Sequence, residues 1–171
     1  NTTASDNTAV GYQALYANTT ASGSVAVGRA SAASNTTGVN TSVGDYSLNS
    51  NTTGSNNVAL GKQALQLNTT ASNNTAVGYQ AGYSHTAAGQ NTSIGYKAGK
   101  ATTGEKGTFL GESAGLNTTS GKNTFIGQSS GTFVTTGDAN TILGRYNGNE
   151  GGLDIRTSSN NIVLSDGDGN P

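Results

Sequence analysis

Two stretches carry the spacing of a serine-hydrolase nucleophile. Gly111-Glu112-Ser113-Ala114-Gly115 and Gly127-Gln128-Ser129-Ser130-Gly131 both read Gly-x-Ser-x-Gly. A nucleophilic serine needs a strand-to-helix elbow, a histidine base and an acid. Here the equivalent positions elsewhere read Gly78-Tyr79-Gln80-Ala81-Gly82 and Gly95-Tyr96-Lys97-Ala98-Gly99, so serine is one of several permitted fillers. His85 is the only histidine, and it is expected at a solvated corner, without partners for a triad or a metal. Gly115 to Lys122 superficially resembles a phosphate loop, but five residues separate Gly115 from Gly121 and Asn123 replaces the Ser or Thr such a loop requires. Asp166, Asp168 and Asn170 have the spacing that opens a calcium loop, yet Pro171 stands where glycine is needed, and a tight turn is the better reading. No residue is therefore assigned as catalytic, cofactor-binding or metal-binding. The chain is expected not to be an enzyme and to need no cofactor.

The fillers belong to a repeat. Nine glycines recur every 16 or 17 residues: Gly11, Gly28, Gly44, Gly61, Gly78, Gly95, Gly111, Gly127 and Gly144. Each follows an aliphatic residue: Val10, Val27, Val43, Leu60, Val77, Ile94, Leu110, Ile126 and Leu143. Residues 7–14 and 74–81 are identical. So short a period cannot mark independent domains; it marks coils of a solenoid, each stacked on the last. The alternating residues before each glycine read as a short strand, and the glycine as a bend. The expected fold is all-β, a parallel β-roll or β-solenoid of about nine coils over residues 1–148, with 149–171 as a non-repeat C-terminal segment leading to a further domain.

Two rows change along the repeat. Four residues past the glycine, Leu15, Ala32, Leu48 and Leu65 give way to Gly82, Gly99, Gly115, Gly131 and Gly148. Two residues before it, Ala9, Ala26, Ser42, Ala59, Ala76 and Ser93 give way to Phe109, Phe125 and Ile142. The cross-section is expected to change from about the seventh coil. Asn-Thr-Thr corners keep the same period, and stacked Asn and Thr can hydrogen-bond from coil to coil. The corners also create Asn-x-Thr sequons at Asn1, Asn18, Asn35, Asn51, Asn68 and Asn117. Tyr12, Tyr79 and Tyr96 follow the bend, where packing over it is a better use than sugar binding.

Composition narrows the function. With no Cys, the chain has no disulfide or thiolate metal site. A net charge of −1, with only 10% charged residues, gives no electrostatic case for nucleic acid or for a membrane surface. No stretch approaches the roughly 20 apolar residues of a membrane span. The sequence starts without Met, one turn before a repeat core, so a fragment of a longer chain is expected. Each coil holds few apolar side chains, and burial is expected to be completed by other chains. Period-two alternation leaves the row Ala9, Ala26, Ala59, Ala76, Phe109, Phe125 and Ile142 free to face outward, at the axis of a parallel homotrimer.

The segments Asn7-Thr8-Ala9-Val10-Gly11, Ser24-Val25-Ala26-Val27-Gly28 and Asn57-Val58-Ala59-Leu60-Gly61 resemble the repeats in head domains of trimeric autotransporter adhesins. The family's repeat is slightly shorter, so longer corners are expected here. Gly151 to Arg156 and Asn160 to Asn170 look similar to segments of bacteriophage tail fibre proteins that lie between a repetitive shaft and a C-terminal tip. The resemblance implies a left-handed parallel β-roll, three to a head. It further implies a structural shaft or adhesion segment of an extracellular trimeric fibre, a phage tail fibre ahead of a bacterial adhesin head. The implied partners are two further copies of the chain and a glycan or protein receptor on the host surface; the implied location is the virion or the cell surface. Regular Thr ladders also suit an ice-binding solenoid, provided they lie on a flat exposed face.

Overall fold

The computed structural model describes residues 3–87 and 89–171; the sequon at Asn1 lies outside them. Nine three-residue strands end one residue before the nine glycines: β1 Thr8–Val10, β2 Val25–Val27, β3 Thr41–Val43, β4 Val58–Leu60, β5 Thr75–Val77, β6 Thr92–Ile94, β7 Thr108–Leu110, β8 Thr124–Ile126 and β9 Thr141–Leu143. Each pairs in parallel with its sequence neighbour and in strict register, as in Ala59↔Ala76 and Phe109↔Phe125. There is no helix among the described residues. At about 4.8 Å between paired strands, nine coils make a rod of roughly 40 Å. The expected parallel β-solenoid is the fold.

The bend glycines are required twice over. Gly61 has φ +132°, and a Cβ there would sit 2.6 Å from the Gly78 carbonyl oxygen in the next coil. The chain then passes through two left-handed residues, Gln63 (φ 61°) and Leu65 (φ 49°), a pattern repeated in most coils. Ala64 N–H donates to the Gly61 carbonyl and Asn68 N–H to the Leu65 carbonyl, closing the turn. Leu65 and Leu67 N–H groups donate to the Ala81 and Tyr83 carbonyls, so this side of the coil also forms a ladder with the next.

The strand row expected to face outward faces inward. Ala26, Ala59, Ala76, Phe109, Phe125 and Ile142 are fully buried inside the coils. Only Ala9, on the first strand, is exposed. The reason is width. A single coil closes over so narrow an interior that the middle strand residue and the residue four past the glycine fill it together. The Val, Leu and Ile next to the glycine are turned outward. The two changing rows are thus facing walls of one core. Leu48 and Leu65 pack with Ala59 and Ala76 in one cluster; from coil seven, Phe109 and Phe125 fill the space left by glycine.

Half of the interior is polar. Asn35, Asn51 and Asn68 form a buried ladder, Asn51 Nδ2 donating to Asn35 Oδ1 at 2.8 Å and Asn68 Nδ2 to Asn51 Oδ1 at 2.7 Å. A second ladder runs up the residues preceding the strands. Asn40, Asn57, Asn74 and Asn91 Oδ1 accept from the backbone N–H of Asn57, Asn74, Asn91 and Gly107 at 2.7–3.0 Å. Amides bonded from coil to coil fill the core where aliphatic residues are scarce, and each bond contributes about 1 kcal/mol.

Residues 149–171 extend the solenoid. A hairpin of β10 (Asn149–Glu150) and β11 (Leu153–Asp154) precedes β12 (Ile162–Leu164), which joins the sheet as a tenth strand beside β9. Tyr146, Ile155 and Val163 pack against Val134 and Ile142, and the Tyr146 hydroxyl donates to the Leu153 carbonyl at 2.7 Å.

Candidate functional site

Ser113 and Ser129 occupy the second position after the bend, with φ 56° and 58°, in the row that holds Gln63, Gln80 and Lys97 in earlier coils. Both are half-exposed. The nearest thing to a nucleophile cluster is elsewhere: Ser31, Ser42 and Ser47 hydroxyls lie 2.7–3.1 Å from one another, fully buried. Ser42 and Ser47 donate onward to the backbone carbonyls of Ser47 and Gly44, as Ser31 does to that of Ser42. This cluster is core packing by hydroxyls, closed to substrate.

His85 is not at a solvated corner. It is fully buried, in the Asn18, Asn35, Asn51, Asn68 row, one coil beyond Asn68. Its ring occupies the space beside Gly82 and near Leu65. The missing leucine explains the position: the first coil to carry glycine in place of Leu65 is also the coil that places imidazole inside. Among the described residues neither ring nitrogen has a hydrogen-bond partner, nor do Asn68 Oδ1 and Thr102 Oγ1, one coil to either side. Burial lowers the His85 pKa to about 4, opposed in part by the nearby Gly99 backbone.

The C-terminal acidic run is a turn. The Asp166 carboxylate accepts from the Asn170 side-chain amide (3.2 Å) and from the N–H groups of Asn170 (3.0 Å) and Asp168 (2.9 Å), which hold its carboxyl below the ordinary range. Among the described residues, no group of three His, Cys, Asp or Glu side chains could hold a metal ion. Asn18, Asn35, Asn51 and Asn68 of the sequons are buried, whereas Asn117 is exposed. The corner threonines spend their hydroxyls internally: Thr36, Thr52 and Thr69 Oγ1 donate to the Thr52, Thr69 and Thr86 carbonyls.

Two surface features remain. The first is the outer face of the sheet. Its aliphatic row is exposed at Val10 (56%), Leu110 (43%), Leu143 (48%) and Leu164 (67%), and half-buried at Val27, Leu60, Val77, Ile94 and Ile126. Alternation made this row visible, but the inside and outside were assigned the wrong way round. The second is a groove of about 280 Å³ across coils five to seven, lined by Tyr83, Ser84, Lys97, Lys100, Ala101, Leu116 and Asn117. Beside it Tyr79 and Tyr96 stack at 5.5 Å between ring centroids, with the Lys97 ammonium 4.8 Å from the Tyr96 ring centre.

No protein family, no curated protein and no solved structure matches this chain. No helix among the described residues is long and apolar enough to cross a membrane.

Proposed function

We propose that this chain is a rigid shaft segment of a trimeric extracellular attachment fibre, in first place a phage tail fibre and in second a bacterial adhesin head. The observation that carries the proposal is the aliphatic row on the outer face of the sheet, one residue per coil from Val10 to Leu143 and on to Leu164, each exposed or half-buried. An apolar row of this length at the surface, repeated in every coil, marks an interaction surface. Three parallel copies turning their ridges to a common axis cover it in one step. The interface row is therefore the residue next to each glycine, and Phe109, Phe125 and Ile142 stay inside their own coils.

A rod held by coil-to-coil ladders suits length and stiffness. Whole coils can be added or removed without disturbing distant ones, because each contacts only its neighbours. The test is to delete residues 45–78, two coils in register, from the intact parent. A shorter fibre by electron microscopy with host range intact supports a spacer. Loss of recognition with the fibre still assembled makes these coils the main receptor surface.

One observation favours a second reading. Thr8, Thr41, Thr75, Thr92, Thr108, Thr124 and Thr141 open seven of the nine strands and line the same outer face as the aliphatic row. A regular Thr and aliphatic lattice is what ice binding requires, and thermal hysteresis in dilute protein solution separates that reading from the fibre.

A further inference from the structure

We infer that the groove over coils five to seven is a binding site for an acidic sugar, a saccharide unit bearing a carboxylate. The inference begins with charge. Arg29 and Lys62 pair with Asp45, Lys106 with Glu105, Lys122 with Asp138 and Arg156 with Asp154. Lys97 and Lys100 make no ion pair among the described residues, and both line one groove. Glu112, on the following coil, turns its carboxylate to Gln128 at 3.5 Å. Of the three cations without an ion pair among the described residues, Lys97, Lys100 and Arg145, the first two share this groove.

The repeat itself marks the site as a departure. The second position after the bend is Gln in coils one, four and five, and Lys only at Lys97. The fifth position is Tyr16, Ala33, Asn49, Gln66, Tyr83, Lys100, Leu116 and Thr132 in successive coils, with Lys only at Lys100. Coil six alone carries both. Each lysine lies beside an aromatic ring at the groove, Lys97 over Tyr96 and Lys100 near Tyr83.

The walls fit a sugar. Tyr83 stands one coil below Lys100, whose ammonium lies 6.0 Å from the Tyr83 ring centre, and Leu116 one coil above. Aromatic and aliphatic surfaces take the C–H faces of a pyranose, while Ser84 and Asn117 offer polar atoms to its hydroxyls. The stacked Tyr79 and Tyr96 extend this platform beyond Lys97. A volume of about 280 Å³ is at the small end for ligand pockets and holds one or two sugar units. A carboxylate placed between the two ammonium groups gains charge-assisted hydrogen bonds from both. All these residues come from one chain and none belongs to the outward strand row, so the site stands independently of trimer formation.

The test uses the whole chain and a trisaccharide of galacturonate, with its methyl ester as the uncharged counterpart and a tri-glutamate peptide as a second control. Binding is followed by NMR through the Tyr83 and Tyr96 ring signals. The expected result is millimolar or tighter binding of the galacturonate, at least tenfold weaker binding of the ester and of the peptide, and weakening as salt rises. Lys97→Gln and Lys100→Gln each install a residue that the repeat already uses in that row, so the fold is kept; each is expected to reduce affinity five- to tenfold. Absence of binding to the wild-type chain overturns the inference. So does equal binding of the ester or the peptide, or affinity unchanged in both variants.

Discussion

The Phe109 ring lies over the α-carbon of Gly115, in the space a Cβ on that residue would need. Gly115 is also left-handed, at φ +62°, where the same row in earlier coils holds Leu48 and Leu65 at φ 49°. Moving core bulk from a left-handed leucine to the middle residue of a strand relieves backbone strain and leaves the coil equally filled. The two residues are coupled: neither makes sense in the later coils without the other.

Gly115→Ala should therefore push Phe109 from its seat and cost about 2–3 kcal/mol, in the range of overpacking a core. Urea unfolding measures it. Phe109→Leu in the same chain should restore part of the loss, and the double-mutant cycle should show the coupling.

Gly61→Ala should be harsher, at about 3 kcal/mol or more, because it combines an unfavourable backbone angle with a clash against the Gly78 carbonyl of the next coil. No side-chain rearrangement can relieve a backbone contact. Equal stability of Gly61→Ala and wild type in urea would refute the stacked bend.

Acid should weaken the fold through His85. Its folded pKa, about 4, is below the ordinary value of about 6.5, so it contributes stability that is complete above pH 6.5 and is lost as pH falls towards 4. The groups seen to pack around it, Gly82, Leu65 and the Gly99 backbone, do not titrate. Two and a half pKa units correspond to about 3 kcal/mol. His85→Asn, the residue of the preceding coils, should flatten the fall in unfolding free energy between pH 6.5 and 4.

Expression in a eukaryotic secretory host should place glycans on Asn117 and leave Asn35, Asn51 and Asn68 bare, since their amides are committed to buried bonds in the folded chain. Peptide mass spectrometry distinguishes the sites. Full occupancy of Asn51 would mean that the ladder is not formed.

The period of the bend glycines was enough to read the coil, its strands and their register, because backbone stacking forces a fixed repeat. Which side faced inward was not legible. Alternation tells that Ala59 and Leu60 point opposite ways, but it does not tell that the middle residue of the strand is the inward one, whether alanine as at Ala59 or phenylalanine as at Phe109. His85 misled for a related reason: a lone polar residue in a corner reads as solvated unless the glycine at position 82 is recognised as a hole. The groove is not legible in the sequence because Tyr83, Lys100 and Leu116 are adjacent only across coils.

The outward ridge is tested most directly by sedimentation equilibrium of the wild-type chain and of a Val77→Asp, Ile94→Asp variant. The wild-type species should have three times the 17.0 kDa chain mass. In the variant, carboxylates from three chains would meet at the axis unpaired, so it should sediment as a monomer while its circular dichroism keeps the β signature. A wild-type chain that sediments as a folded 17.0 kDa monomer, or a trimer untouched by the two aspartates, would contradict it.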